Sequence, residues 1–298
     1  MGMQQLVDRI KPLVSGSARR RIVRARLGLR GLTGRFRSLP DFMIIGGMRC
    51  GTSSLYKYLA YHPAVAPPLR KEIHYLTVDY ARGERWYRSH FPTNARKRVS
   101  RLVRARPLQT FEATPDYLFH PYAAERAARL VPEARLIAVL RDPVARAISH
   151  YVHNVGWGKE SLPIGEALLR EEDRISEDLE RLRADPLDFC FDYRLYSYVA
   201  RGIYVDQLRV WERYYPRDRL LVLNSEDLYR RPAETYREIV EFLELPSWQP
   251  NRFPNFDQRW GGDKPEVEVP DEVRDWLGER FAPHNRRLYD WLGRDLGW

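Results

Sequence analysis

The stretch FMIIGGMRCGTSSLYKYL, Phe42 to Leu59, constrains this chain more than any other part of its 298 residues. The apolar run Phe42-Met43-Ile44-Ile45 predicts a buried strand. It stops at Gly46-Gly47, and a helical pattern that sets Leu55 and Leu59 one turn apart begins after Gly51. Strand, glycine-bearing turn and helix N-terminus together make a cradle for an anionic phosphate. The loop amides point inward, and the positive end of the helix dipole lies beneath the anion. Gly51 lets the backbone approach a ligand without a Cβ, while Thr52 and Ser53 add hydroxyl donors in the first turn. An ordinary turn capped by Thr52 or Ser53 has the same local pattern. The rest of the chain has to decide between them.

The spacing of Gly46 and Gly51 is that of a nucleoside-triphosphate loop, but Thr52 follows where such a loop needs Lys. The cation of this loop, Arg49, lies inside it. Cys50 sits beside that cation, and a thiol at a helix N-terminus is a setting in which a thiolate can be favoured. A donor that needs neither metal nor third phosphate fits this loop better than ATP with magnesium. No metal site is expected.

Arg135 to Asn154, RLIAVLRDPVARAISHYVHN, repeats the design. Leu136 to Leu140 is a second apolar strand, and Pro143 occupies a first helical position with Asp142 as its cap. Arg141 stands at the carboxyl end of that strand, where open α/β sheets bind their ligands. Ser149 lies about two turns into the helix, at ~3.6 residues per turn. An arginine fork plus a hydroxyl suits a second, separate phosphate.

With both stretches in hand, the chain resembles the sulfotransferases that use 3′-phosphoadenosine 5′-phosphosulfate, most closely the branch containing the heparan sulfate 3-O- and N-sulfotransferases. Three more segments carry the likeness. Lys71-Glu72-Ile73-His74-Tyr75 is similar to the family's Lys-Glu-x-x-aromatic segment. Glu112-Ala113-Thr114-Pro115-Asp116-Tyr117 is similar to its Glu-x-Ser/Thr-Pro-x-Tyr segment. Arg201-Gly202-Ile203-Tyr204, followed by Trp211, is similar to the stretch before the last sheet strand. The ending from Pro283 through Asn285 and Tyr289 to Trp298 has the family's cadence, and the likeness runs from about Asp41 to the C-terminus.

The resemblance implies that Arg49, Cys50, Gly51, Thr52 and Ser53 hold the 5′-phosphosulfate, with Arg141 and Ser149 on the 3′-phosphate and Tyr204 nearby. It carries the family's catalytic carboxylate onto Glu72, with Arg49 and the loop amides stabilising charge on the leaving phosphate. Without it, Glu72 reads as a surface acid paired with Lys71 or Arg70. His74 is the rival base, and on a strand it would share a face with Glu72. His150 and His153 read as helix-surface or core residues.

Three departures bear mainly on the acceptor side. Arg49 stands where the family usually has Lys, and a planar fork is not a point charge. Ala113 replaces a Lys found beside the acceptor in heparan-modifying members. Asn251 to Lys264 is short and lacks Cys, so Gly261-Gly262-Asp263-Lys264 reads as a reduced donor-covering loop with Lys264 on the donor.

The chain's formal charge is +10, yet its distribution is uneven. Residues 1–40 hold ten basic residues and one acidic, and the remainder holds 40 basic and 39 acidic. The nearly neutral remainder argues against a heavily anionic polysaccharide acceptor, which would prefer a basic cleft. Residues 1–40 are therefore a basic segment preceding a sulfotransferase domain at 41–298. In residues 19–37, Ile22, Val23, Leu27 and Leu32 make an apolar stripe suited to a membrane surface, and a solvated leader is the plainer alternative. No apolar stretch approaches the ~18 residues needed to cross a bilayer, and no signal-peptide core is visible. Two cysteines, Cys50 and Cys190, give no disulfide framework and favour a reducing, cytoplasmic setting.

The expected fold is a P-loop-like three-layer α/β sandwich with a mainly parallel sheet. Ser161 to Ala184 predicts one long charged helix, Tyr198 to Tyr215 an amphipathic one, Leu220 to Leu223 a strand, and Asp271 to Trp298 one or two closing helices. The activity expected is sulfuryl transfer to a hydroxyl or amine of a carbohydrate-type or other small acceptor, a glycan or glycolipid among them. A P-loop kinase would share the fold but lacks its Lys after Gly51 and a Walker-B carboxylate. A nucleic-acid module would explain the basic balance, but the charge sits in a tail and not over a folded face. Nucleic acid is not expected as a partner.

Overall fold

The computed structural model describes residues 16–104, 108–256 and 265–298. Five strands, β1 (Phe42–Gly46), β2 (Val65–Ala66), β3 (Gln109–Ala113), β4 (Arg135–Leu140) and β5 (Leu220–Asn224), build one sheet. Its order is β2-β3-β1-β4-β5, and every pairing is parallel. Period-two alternation splits β1 between two cores. Phe42 and Ile44 pack with Leu55, Leu59, Tyr236 and Ile239 on one face. Met43 and Ile45 pack with Ala127, Leu208 and Leu288 on the other. Helices cover both faces, which is why the strands read as continuous apolar runs. The result is the three-layer α/β fold expected, with a sheet that is wholly parallel.

This strand order positions the site. From β1 the chain runs to the β2 edge, returns through β3, and then crosses to β4 on the other side of β1. The direction therefore reverses at β1, and such a switch point opens a crevice at the carboxyl ends of the strands. The loops after β1 and β4 both lie there.

Two helical expectations need correction. Ser161 to Ala184 forms two helices, Ile164–Leu169 and Glu171–Ala184, broken at Arg170. The break follows from Glu171, which turns inward so that its carboxylate accepts the amides of Val199 and Ala200 at 2.5 and 2.8 Å. Burial pushes that carboxyl up to about 6. Tyr198 to Tyr215 is helical only over Tyr204–Glu212, after a 3-10 turn at Ala200–Gly202. The closing segment is one helix, Asp271–Leu292, with Pro283 inside it.

In the basic N-terminal segment Gly16–Leu32 is a helix. It is tethered by the Arg30 guanidinium, which donates to the carbonyls of Ser89 and Phe91 at 2.6 and 2.5 Å. Val23 and Leu27 are half-buried and face the domain, whereas Ile22, Leu29 and Leu32 are exposed. The apolar stripe left to solvent is therefore Ile22-Leu29-Leu32, not the one read from the sequence.

Candidate active site

The two loops meet as the topology requires. Gly47 donates its amide to the Val139 carbonyl at 2.6 Å, stitching the end of β1 to β4. Arg49 Nε donates to Ser149 Oγ at 3.2 Å, and Arg141 approaches the Arg49 carbonyl at 3.5 Å. Asp142 caps the helix Pro143–Gly156 as expected, accepting from the amides of Val144 and Ala145 at 3.1 and 3.2 Å. Arg49 has φ 66°, in the left-handed region, a conformation that costs a non-glycine residue roughly 1–3 kcal/mol and clusters at ligand clamps. Gly51 has φ 90° and caps the helix Thr52–Tyr61. A Cβ there would lie 2.9 Å from the Tyr229 hydroxyl, so both backbone and space demand glycine.

These loops form one wall of a cavity of about 700 Å³, lined among others by Arg49, Gly51, Thr52, Ser53, Arg141 and Ser149. The opposite wall is the segment Lys71 to His74, which is neither helix nor strand. Glu72 is the junction. Its carboxylate receives Lys71 Nζ at 3.3 Å and His74 Nε2 at 3.2 Å. Burial raises a carboxyl, but the His74 hydrogen bond and the Lys71 charge outweigh it and hold Glu72 below its ordinary value. The group is an anion at neutral pH, ready to accept a proton. His74 touches Glu72 without strand geometry, because its own φ is 60°.

Lys71 is the residue that sequence reasoning undervalued. Its ammonium also donates to Ser53 Oγ at 3.3 Å, so one cation joins the first turn of the helix after Gly51 to Glu72. The point charge missing from the loop enters from the facing segment. The Lys-Glu pairing was visible in the sequence; its reach to Ser53 was not.

Behind this segment lies a fully buried acid, Glu112 of β3. Its carboxylate accepts from the hydroxyls of Thr114, Tyr117 and Tyr87. Burial pushes it up, against the pull of those hydroxyls. Asp116 is also buried, but it is paired with Arg201 at 2.6 Å and Arg194 at 2.9 Å. Burial would raise it; the two guanidinium charges hold it far below the carboxylate range instead. Asp116 and Arg194 both reach the cavity.

Two predicted donor contacts lie under the loop and not on the cavity wall. The Cys50 thiol is buried, bonded to the Met48 carbonyl at 3.5 Å and 3.8 Å from the Tyr204 hydroxyl. Burial pushes that thiol up to about 11, against the thiolate that a helix N-terminus can favour. Tyr204 is likewise buried and donates to the Arg141 carbonyl at 2.9 Å, supporting the second loop from below. His150 packs edge-on against Tyr198, and burial drives it neutral. His153, by contrast, lines the cavity with Trp157. Tyr229 and Arg230 also line it and were not singled out from the sequence, which offered no motif for them, whereas Asn255 and Phe256 come from the segment Asn251 to Lys264 noted there. Lys264 lies outside the described residues. Among the described residues, no group of three or more His, Cys, Asp or Glu is arranged to hold a metal ion.

Residues 39–258 match the model of the sulfotransferase domain. The chain belongs to the sulfotransferase family. Relatives include human heparan sulfate glucosamine 3-O-sulfotransferase 6, 29% identical over 96% of this chain and 77% of its own length. The membrane-associated sulfotransferase kil1 of Dictyostelium discoideum is 25% identical over 89% of this chain and 68% of its own length. A solved sulfotransferase from Alicyclobacillus acidocaldarius superposes with a TM-score of 0.63 at 29% identity, covering 87% of this chain and 98% of that one. The protein is thus a sulfotransferase near the heparan sulfate 3-O-sulfotransferases, and 3′-phosphoadenosine 5′-phosphosulfate is the donor its family implies.

Proposed function

We propose that this sulfotransferase moves the sulfuryl group to a hydroxyl of a glycan or glycolipid, with Glu72 as general base and no metal. The observation that carries this is the double contact of Lys71, to Ser53 in the cradle and to Glu72 beside it. Ser53, Thr52 and the loop amides receive the 5′-phosphosulfate, and Arg141 with Ser149 takes the 3′-phosphate. Glu72 accepts the proton of the acceptor hydroxyl as its oxygen bonds to sulfur. The sulfur–oxygen bond to the nucleotide breaks in line, and adenosine 3′,5′-bisphosphate leaves. Arg49 and Lys71 supply the positive charge that this leaving group needs. Support for a carbohydrate comes from the heparan-modifying relatives.

Thermal-shift titration with adenosine 3′,5′-bisphosphate, ATP–magnesium and an oligonucleotide tests the donor. Stabilisation of about 2.7 kcal/mol is expected at ~100 Kd of the bisphosphate without metal. No shift with it, and a shift with ATP–magnesium, would reject the reading. Labelled donor with a panel of heparan, neutral glycans and glycolipids tests the acceptor class; transfer to none of them would reject a carbohydrate.

We further propose peripheral contact of residues 19–37 with an anionic membrane on its cytoplasmic side. Ile22, Leu29 and Leu32 are 52%, 71% and 76% exposed, share one helix face, and are flanked by exposed Arg21, Arg24 and Arg26. Membrane association of the Dictyostelium relative and the two free cysteines are consistent with this. Co-sedimentation with phosphatidylserine vesicles should be lost in Ile22→Ser/Leu29→Ser. Equal binding by that variant, or preference for oligonucleotide, would overturn it.

A further inference from the structure

Glu72 and His74 sit on a segment without helix or sheet bonds, so something else must fix its backbone. Three of its amides are satisfied by side chains of one short stretch. Ile73 and His74 both donate to Thr114 Oγ1 at 3.3 Å, and Leu76 donates to the Tyr117 hydroxyl at 3.2 Å. A hydroxyl that accepts an amide must point its own hydrogen elsewhere. Thr114 and Tyr117 both point theirs at Glu112, Thr114 at 2.9 Å. The second Glu112 oxygen takes the Tyr87 hydroxyl. A carboxylate accepts only, so it leaves the Thr114 and Tyr117 hydroxyls to present lone pairs to the base-bearing segment. Among the described residues no cation pairs with Glu112. Its bonds all serve this network. His74 needs such support, because its φ of 60° is held only where surroundings over-determine it.

We propose that Glu112, acting through Thr114 and Tyr117, is the positioning residue that holds Glu72 and His74 at the reacting hydroxyl. The proposal rests on Glu72 being the base. Glu112→Gln would set its amide donor either against Tyr87, leaving Thr114 and Tyr117 on the carbonyl oxygen, or against Thr114 and Tyr117 themselves, and only the second turns a hydroxyl away from the segment. Displacement of about 1 Å at a base is enough to cost ~10²-fold.

The test compares Thr114→Val, Thr114→Ser and Glu72→Gln in release of adenosine 3′,5′-bisphosphate from donor, with N-sulfated heparan oligosaccharide or with water alone as acceptor. Thr114→Val should lower kcat roughly 10- to 100-fold, while bisphosphate Kd stays within about twofold. Thr114→Ser, which restores the hydroxyl, should recover most of that loss. Adding Thr114→Val to Glu72→Gln should cost little more, because both act through one carboxylate. Near-normal kcat in Thr114→Val beside an inactive Glu72→Gln would overturn the positioning role. An active Glu72→Gln would instead remove the reading beneath it. If Thr114→Val fails to fold, Tyr117→Phe keeps the ring and removes the hydroxyl facing Leu76. It should show the same fall in kcat at unchanged bisphosphate Kd, and normal kcat there would refute the proposal.

Discussion

The two walls of the cavity are built by opposite means. The first wall, proposed above to hold the donor, is made by loops that leave adjacent parallel strands, so backbone geometry places Gly51, Arg49 and Arg141 before any side chain acts. The facing wall, Lys71 to His74, has no regular structure. It is held by hydroxyls and by one buried carboxylate on the neighbouring strand. The first wall owes its shape to backbone geometry; the second depends on individual side-chain hydrogen bonds.

The sharpest way to test that contrast is Glu72→Gln. It keeps shape but removes the proton acceptor, so turnover should fall roughly 10²–10⁴-fold. Bisphosphate affinity, a property of the other wall, should barely move. A calorimetric titration beside a rate assay reads both, and coupled losses would show that the walls are one unit. His74→Asn should retain most activity. If it collapses while Glu72→Gln survives, the base is His74.

Arg141→Ala acts on the first wall. Loss of charge-assisted bonds to the 3′-phosphate should weaken the bisphosphate about 10- to 100-fold, for ~1.5–3 kcal/mol of interaction. Adenosine 5′-phosphosulfate, which lacks that phosphate, should lose far less. Similar losses for both would make Arg141 structural.

A pH profile probes the second wall more gently. The folded Glu72 is held below its ordinary 4.5, so ionised base persists as pH falls through that value. The acid limb of turnover should therefore lie below pH 4.5, and the stability linked to this group should disappear only as pH drops through its lowered value. An acid limb near pH 6 would point to a different group.

The smallest effect is expected for Cys50→Ala. The thiol faces the core, so bisphosphate Kd should stay within about twofold, with stability lower by ~1 kcal/mol. A large loss of affinity would put the thiol back in the site.

What the sequence disclosed follows the same division. Phe42–Ile45, Leu136–Leu140 and Leu220–Leu223 were legible because strands buried on both faces are uniformly apolar. Their flanking loops followed from glycine and capping rules. The break at Arg170 was hidden, since it is caused by Glu171 reaching amides at Val199 and Ala200. Lys71's reach to Ser53 and the Glu112 network were hidden for the same reason: each joins residues that only the folded sheet brings together. The N-terminal stripe was misread because Val23 and Leu27 are as apolar as Leu29, and only packing decides which face stays wet.

One last consequence belongs to the pairing of β1 with β4. Because Gly46 and Ala138 are register partners, the cradle and Arg141 sit on a ruler whose length is set by the sheet. On the proposed assignment, the ruler measures the span between two phosphates on one ribose. A linear triphosphate carries equal or greater charge, yet all on one arm, and can reach only one end. Nucleotide selection would then be by distance, and no amount of added cation along the loops could substitute for it.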